Sequence, residues 1–135
     1  MTLFLGAIAA VSLLVGAVGI ANTMFTSVLE KTKEIGTMKA IGAKNRDVLM
    51  IFLMNSAMVG FVGGIFGVIL GSLLSLVFPM LGMAMMRGGG SSGVIFSPSL
   101  MIGGIALAVS IGVISGVVPA YRASKLKPVD ALRYE

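Results

Sequence analysis

Three long stretches without a single charged side chain divide this sequence: 1–29, 48–86 and 88–121. In the first, the apolar run from Leu3 to Val28 exceeds the roughly 20 residues that a helix needs to cross the hydrocarbon core of a bilayer. In the second, Pro79 and Gly82 place the helix end near Phe78. The third opens on Gly and Ser, so its helix is expected to begin near Pro98, a favoured first-turn residue, and to run to about Val118. Backbone N–H and C=O groups cannot stay unpaired in hydrocarbon, so each run must be helical unless the chain closes into a barrel. The strict apolar/polar alternation of barrel strands is missing. The expected fold is therefore all-α, an integral membrane bundle of three transmembrane helices with spans at about 3–29, 48–78 and 98–119. No Lys or Arg precedes Glu30, which argues against reading the first run as a cleaved secretory signal.

Composition supports lipid as the solvent: of 135 residues, 57% are hydrophobic and only 11% charged. The 19 glycines suit close approach of helix backbones, the main source of helix association where lipid tails are as apolar as leucine. Gly104, Ala108, Gly112 and Gly116 recur every four residues in the third span, and Gly63, Gly67 and Gly71 do so in the second, with Gly60 and Gly64 as a neighbouring pair. Both series are expected to be packing stripes, and Ser12 with Gly16 offers a lesser one in the first span. Asn22 and Asn55, amides in or near apolar runs, are expected to hydrogen-bond neighbouring helices. No acidic, basic or imidazole group occupies a span centre, which disfavours proton-driven carriers.

The net charge of +5 changes meaning once it is mapped. All but Arg87 of the 10 Lys and Arg fall in 30–47 or in the tail, 120–135. Aromatic residues do not interleave with them as a stacking platform would require, so no nucleic-acid partner is expected. Basic residues mark the cytoplasmic side of short loops, which makes 30–47 a cytoplasmic segment and 120–135 a cytoplasmic tail, and puts Met1 and the loop 79–97 outside a cell membrane. Within that loop, Gly88 to Gly90, Ser91, Ser92 and Gly93 have the composition of a flexible linker, natural or introduced. The absence of Cys and His excludes disulfides, thiolate or imidazole metal sites and histidine acid/base chemistry.

Segment 30–47 mixes charge signs. Ile35, Met38 and Ile41 recur every third residue as a narrow apolar edge, with Glu30, Lys33 and Lys39 around it. Gly36 and Gly42 weaken a continuous helix, so the first span is expected to project past the membrane and break near Gly42. Periodicity alone leaves two readings level: an element that docks on a partner, or a solvated connection between spans.

Residue order goes further. Glu30-Lys31-Thr32-Lys33-Glu34-Ile35-Gly36, then Lys39-Ala40-Ile41-Gly42-Ala43, following an apolar span, resembles the FtsX/MacB-like family of ABC-transporter permeases. The tail, Pro119-Ala120-Tyr121-Arg122-Ala123-Ser124 and then Lys127-Pro128-Val129-Asp130-Ala131-Leu132-Arg133-Tyr134-Glu135, is similar to the way that family's chains end. The stretch 12–22 and the Gly-rich second span extend the likeness over nearly the whole chain. The resemblance implies a permease subunit that couples to a separate ABC-type ATPase for export, extraction or mechanotransmission across the membrane. It further implies a homodimer or heterodimer of permeases in contact with membrane lipid. Glu30, Glu34, Gly36, Lys39, Gly42 and Ala43, with the apolar Ile35, Met38 and Ile41, would then form the ATPase-coupling segment, and Arg122 and Arg133 would lie beside the ATPase. Family members usually carry an additional span and a large extracytoplasmic domain ahead of these helices, so this chain is expected to be the last three spans of a longer one.

No enzymatic role is expected of the chain itself. Gly42-Ala43-Lys44-Asn45 lacks the hydroxyl and spacing of a phosphate-binding loop, so ATP would be bound by the partner and no cofactor by this chain. Glu30 and Glu34 stand among lysines on an exposed segment, where ion pairing is commoner than catalysis. Two alternatives remain open: a regulatory membrane subunit that couples an ATPase to an extracytoplasmic cell-wall enzyme, and a small structural membrane protein acting alone.

Overall fold

A computed structural model describes residues 2–80 and 97–127. Four helices account for nearly all of them: α1 (Thr2–Glu30), α2 (Thr32–Ala40), α3 (Asn45–Met80) and α4 (Pro98–Ser124). Three are long and apolar enough to cross a membrane, namely α1, α3 and α4. At 1.5 Å per residue, the 29 residues of α1 reach about 43 Å against a hydrocarbon core of about 30 Å. The described residues contain no strand. The expected outer loop lies mostly outside the described residues, as do Arg87, the Gly/Ser run and Arg133.

Helix α4 is the central element, packed antiparallel along α3 and, less extensively, against α1, while α1 and α3 barely meet. Glycine sets how close α3 and α4 come. A Cβ on Gly60 would lie 2.6 Å from the Ala108 carbonyl oxygen, and one on Gly112 2.6 Å from that of Ser56. The Ser56 side chain occupies the place that a Cβ on Gly116 would take, and a Cβ on Gly64 would meet that of Ala108 at 3.0 Å. The seam thus runs from Ser56 beside Gly112 and Gly116 to Gly64 beside Ile105 and Ala108.

This corrects the expected role of the second glycine series. A Cβ on Gly63, Gly67 or Gly71 would have nothing within 4 Å among the described residues, and the neighbouring pair Gly60 and Gly64 makes the contact with α4 instead. Both sets have helical spacing on adjoining faces, and the rotation of α3 about its axis selects one of them. In α4, Gly112 and Gly116 pack as expected and Ala108 is half-buried against the seam, whereas Gly104 is exposed and would meet only Val68, at 3.9 Å. Asn22 and Asn55 are exposed too, and do not lie between helices.

The helices also outrun the expected spans. Helix α3 includes Pro79 and ends at Met80. Helix α4 continues through Pro119 to Ser124, so the first residues after the third span are helical rather than a free tail. Pro119 is fully buried, and its missing N–H leaves the Ser115 carbonyl without the usual helical donor. Serine and threonine hydroxyls within the spans satisfy themselves on the preceding turn, for example Ser12 on Ile8 O at 2.9 Å and Ser110 on Ala106 O at 2.8 Å.

Burial is concentrated at the end of the bundle that carries the lysines. Val28, Ile35, Val48, Phe52, Ala120 and Ala123 form one buried cluster, with Met38, Leu49, Leu53 and Leu126 packed around it. All four helices contribute to this knot. The first part of α1, from Thr2 to Gly16, is exposed throughout.

Candidate functional site

Helix α2 continues α1 past a one-residue break at Lys31. The backbone bonds Lys31 N–H to Ser27 O (3.0 Å) and Ile35 N–H to Lys31 O (2.9 Å) carry the helical ladder across the break. Thr32 Oγ1 donates to Val28 O at 2.8 Å. Ile35 and Gly36 are both buried, Ile35 within the knot at only 1% exposure.

The end of α2 is a two-bond glycine cap. Ala43 N–H reaches Met38 O at 3.0 Å, Gly42 N–H reaches Lys39 O at 3.1 Å, and Gly42 has φ of 106°, which L side chains rarely adopt. Helix α3 then starts on a reciprocal cap: the Asp47 carboxylate accepts Lys44 N–H at 2.9 Å, and Asp47 N–H donates to Lys44 O at 3.0 Å. The tip between α2 and α3 is a stiff turn with its backbone groups bonded, not a slack connection. Gly42→Val is expected to destabilise this tip by about 1–2 kcal/mol through backbone strain alone, since no neighbour lies within 4 Å of a Cβ there. Thermal unfolding in detergent measures it, and an unchanged midpoint would show that the positive φ is not required.

Lys39 joins the tip to the end of α4. Its ammonium donates to the carbonyls of Ser124 (2.6 Å) and Leu126 (2.7 Å). These acceptors belong to the last turn of α4 and the residues just after it, where carbonyls lack helical partners and the helix dipole is negative. On the other side of α4, the Arg122 guanidinium stands 5.3 Å from the centre of the Phe25 ring of α1. Lys125 lies 4.5 Å from the Tyr121 ring.

The residues expected to form one coupling segment therefore divide in two. Ile35, Gly36 and, in part, Met38 face inward; Lys39 is half-buried on α4, and Ala43 is half-buried beside the turn. The apolar edge is thus not presented whole to a partner as its spacing implied, because the knot uses its first two members. Glu30, Lys33, Glu34, Thr37, Ala40, Ile41 and Gly42 face outward, with Ile41 89% exposed at the tip. From Lys33 to Ile41 these positions follow helical spacing and make a single surface, polar along α2 and apolar at its end. Sequence reasoning missed Val48, Phe52 and Leu126 as the groups that seat the segment. Val48 and Phe52 stand four apart, a signal obscured by the uniformly apolar run that contains them.

Comparison with known proteins places these features in a lineage. The profile of the family described as FtsX-like permease C-terminal matches residues 6–128. An uncharacterized ABC transporter permease of Methanocaldococcus jannaschii is 44% identical over 135 residues, covering 100% of this chain and 33% of its own length. The macrolide export ATP-binding/permease protein MacB of Bdellovibrio bacteriovorus is 44% identical over 136 residues, covering 100% of this chain and 20% of its own. The uncharacterized ABC transporter permease YvrN of Bacillus subtilis is 43% identical over 137 residues, covering 98% and 31%. The chain spans about a fifth to a third of the length of these curated relatives.

Proposed function

The chain belongs to the FtsX-like permease family, and from that premise we propose that it is the membrane part of an ABC transporter, driven by an ATPase seated on the α2–α3 tip. The observation that carries the reading is the pair of hydrogen bonds that the Lys39 ammonium donates to the carbonyls of Ser124 and Leu126 at the end of α4. A push on the exposed face of α2 acts at once on α1, with which α2 is nearly continuous, and on α4, which Lys39 grips. A partner at this surface would meet Ile41 as an apolar anchor, with Lys33 and Glu34 as charged rim contacts that fix orientation more than affinity. In this reading the tip and the end of α4 face the cytoplasm, the start of α1 faces outward, and ATP is bound and hydrolysed by the partner. The ATP-binding/permease naming of the MacB relative supports a linked ATPase, and the lysine-rich end of the bundle supports the orientation.

The test is Ile41→Asp in the whole permease together with its ATPase. Placing a carboxylate in an apolar socket is expected to weaken association by about tenfold or more and to abolish permease-dependent stimulation of ATP hydrolysis. The melting temperature should not move, because Ile41 touches little of its own chain. Undiminished association and stimulation would refute the assignment and favour a membrane protein that acts without an ATPase.

A further inference from the structure

Beside the Lys39 contact, the tip and the end of α4 flank an open, shallow cleft of about 490 Å³ lined by Lys39, Ala43, Asn45, Lys125, Leu126 and Lys127. Among the described residues, three of the six that line it are cationic and none is acidic. Lys39 spends two of its three ammonium donors on carbonyls and keeps one. Asn45 is the first residue of α3, so the start of that helix adjoins the same space; the Asp47 carboxylate of that first turn keeps its charge and accepts Lys44 N–H, which leaves the lysines as the source of positive potential. From this geometry we infer that the cleft is a phosphate-binding site, whose ligand is the headgroup of an anionic phospholipid from the adjoining leaflet.

Depth selects the lipid. The uncharged run of α4 ends at Tyr121, and Lys125 lies one turn beyond, about 6 Å along the axis. The headgroup layer on each side of the hydrocarbon core is about 5–7 Å thick, so a phosphodiester is at the level of the cleft when the apolar run is in hydrocarbon. Exposed Tyr121 with Lys125 over its ring, and Arg122 over Phe25, supply the aromatic and cationic contacts common at that depth. Free inorganic phosphate has the same donor requirements, so the experiment separates the two sources. The inference depends on the chain spanning a bilayer and not on its engaging an ATPase.

The full chain, purified in neutral detergent, is mixed with equal amounts of phosphatidylglycerol and phosphatidylcholine of identical acyl chains, and bound lipid is counted by native mass spectrometry. Phosphatidylglycerol is expected to be retained about tenfold over phosphatidylcholine, and Lys125→Gln/Lys127→Gln to remove most of that preference. Lys33→Gln/Lys44→Gln, which removes the same charge outside the cleft, should preserve it. Lys125 and Lys127 are exposed, so folding is not at stake, and an unchanged melting temperature verifies this. Equal retention of both lipids, with excess inorganic phosphate raising the melting temperature of the parent and not of the cleft variant, would assign a free anion and overturn the lipid. Equal losses in the two double variants, or no response to either ligand, would overturn the site. Loss of ATPase binding by the cleft variant, with no phosphate effect, would reassign the surface to an acidic protein partner.

Discussion

Gly112→Val should drive α3 and α4 apart and cost about 3 kcal/mol, the upper end of overpacking penalties. A Cβ there would stand 2.6 Å from the Ser56 carbonyl oxygen and 3.1 Å from Gly60 Cα. These are backbone atoms of a helix, so no side-chain rotation can make room. The helices must separate, and separation removes the van der Waals contact that replaces the hydrophobic effect in lipid. Gly63→Val and Gly67→Val, on the open side of α3, are expected to stay within about 0.5 kcal/mol in the same assay. Thermal unfolding in detergent with a buried-interface cysteine reporter reads both. A destabilisation by Gly63→Val as large as that by Gly112→Val would mean that the seam has been placed on the wrong face of α3.

Lys39→Met is expected to have the second largest effect, about 2–3 kcal/mol, because it keeps the aliphatic stem and deletes two charge-assisted bonds. The carbonyls of Ser124 and Leu126 would then rely on water, and the last turn of α4 should fray. Amide exchange at 122–127 should accelerate while exchange in α3 near Ser56 stays slow. In the whole permease, the variant should bind the ATPase yet lose stimulation, since Ile41 still faces outward. Such a split separates a transmitting lysine from a docking one. If exchange at the end of α4 were unaltered, Lys39 would be an ordinary surface lysine and the proposed transmission route would fall.

The three spans were legible because the bilayer leaves so few options: a long uncharged run must be a helix, whatever its partners. The positive φ at Gly42 was foreshadowed by glycine at an expected helix end. What stayed hidden depends on rotation and on distance along the chain. Gly60 and Gly64 differ from Gly63 and Gly67 only by facing α4, and composition is the same on both faces. Ile35 and Ile41 read as equal members of one edge, yet six residues at about 100° each carry the second well round the helix from the first, so Ile35 is buried and Ile41 exposed. Lys39 reads as a charged rim residue, and nothing local announces acceptors 85 and 87 positions away. The cleft was out of reach for the same reason, as it unites Asn45 with Lys125 and Lys127 across the bundle.

Pro119 sits between two grips on α4, the seam with α3 that reaches Gly116 and the Lys39 contact at Ser124 and Leu126. With one rung of the hydrogen-bond ladder missing there, α4 is a strut whose bending stiffness drops at a single joint. In the proposed transmission, torque entering at the α2–α3 tip would then be delivered as a swing of the final turn before it strained the glycine seam. Alanine at 119 would restore the rung and stiffen the linkage, so that the same torque moves the span as one rod.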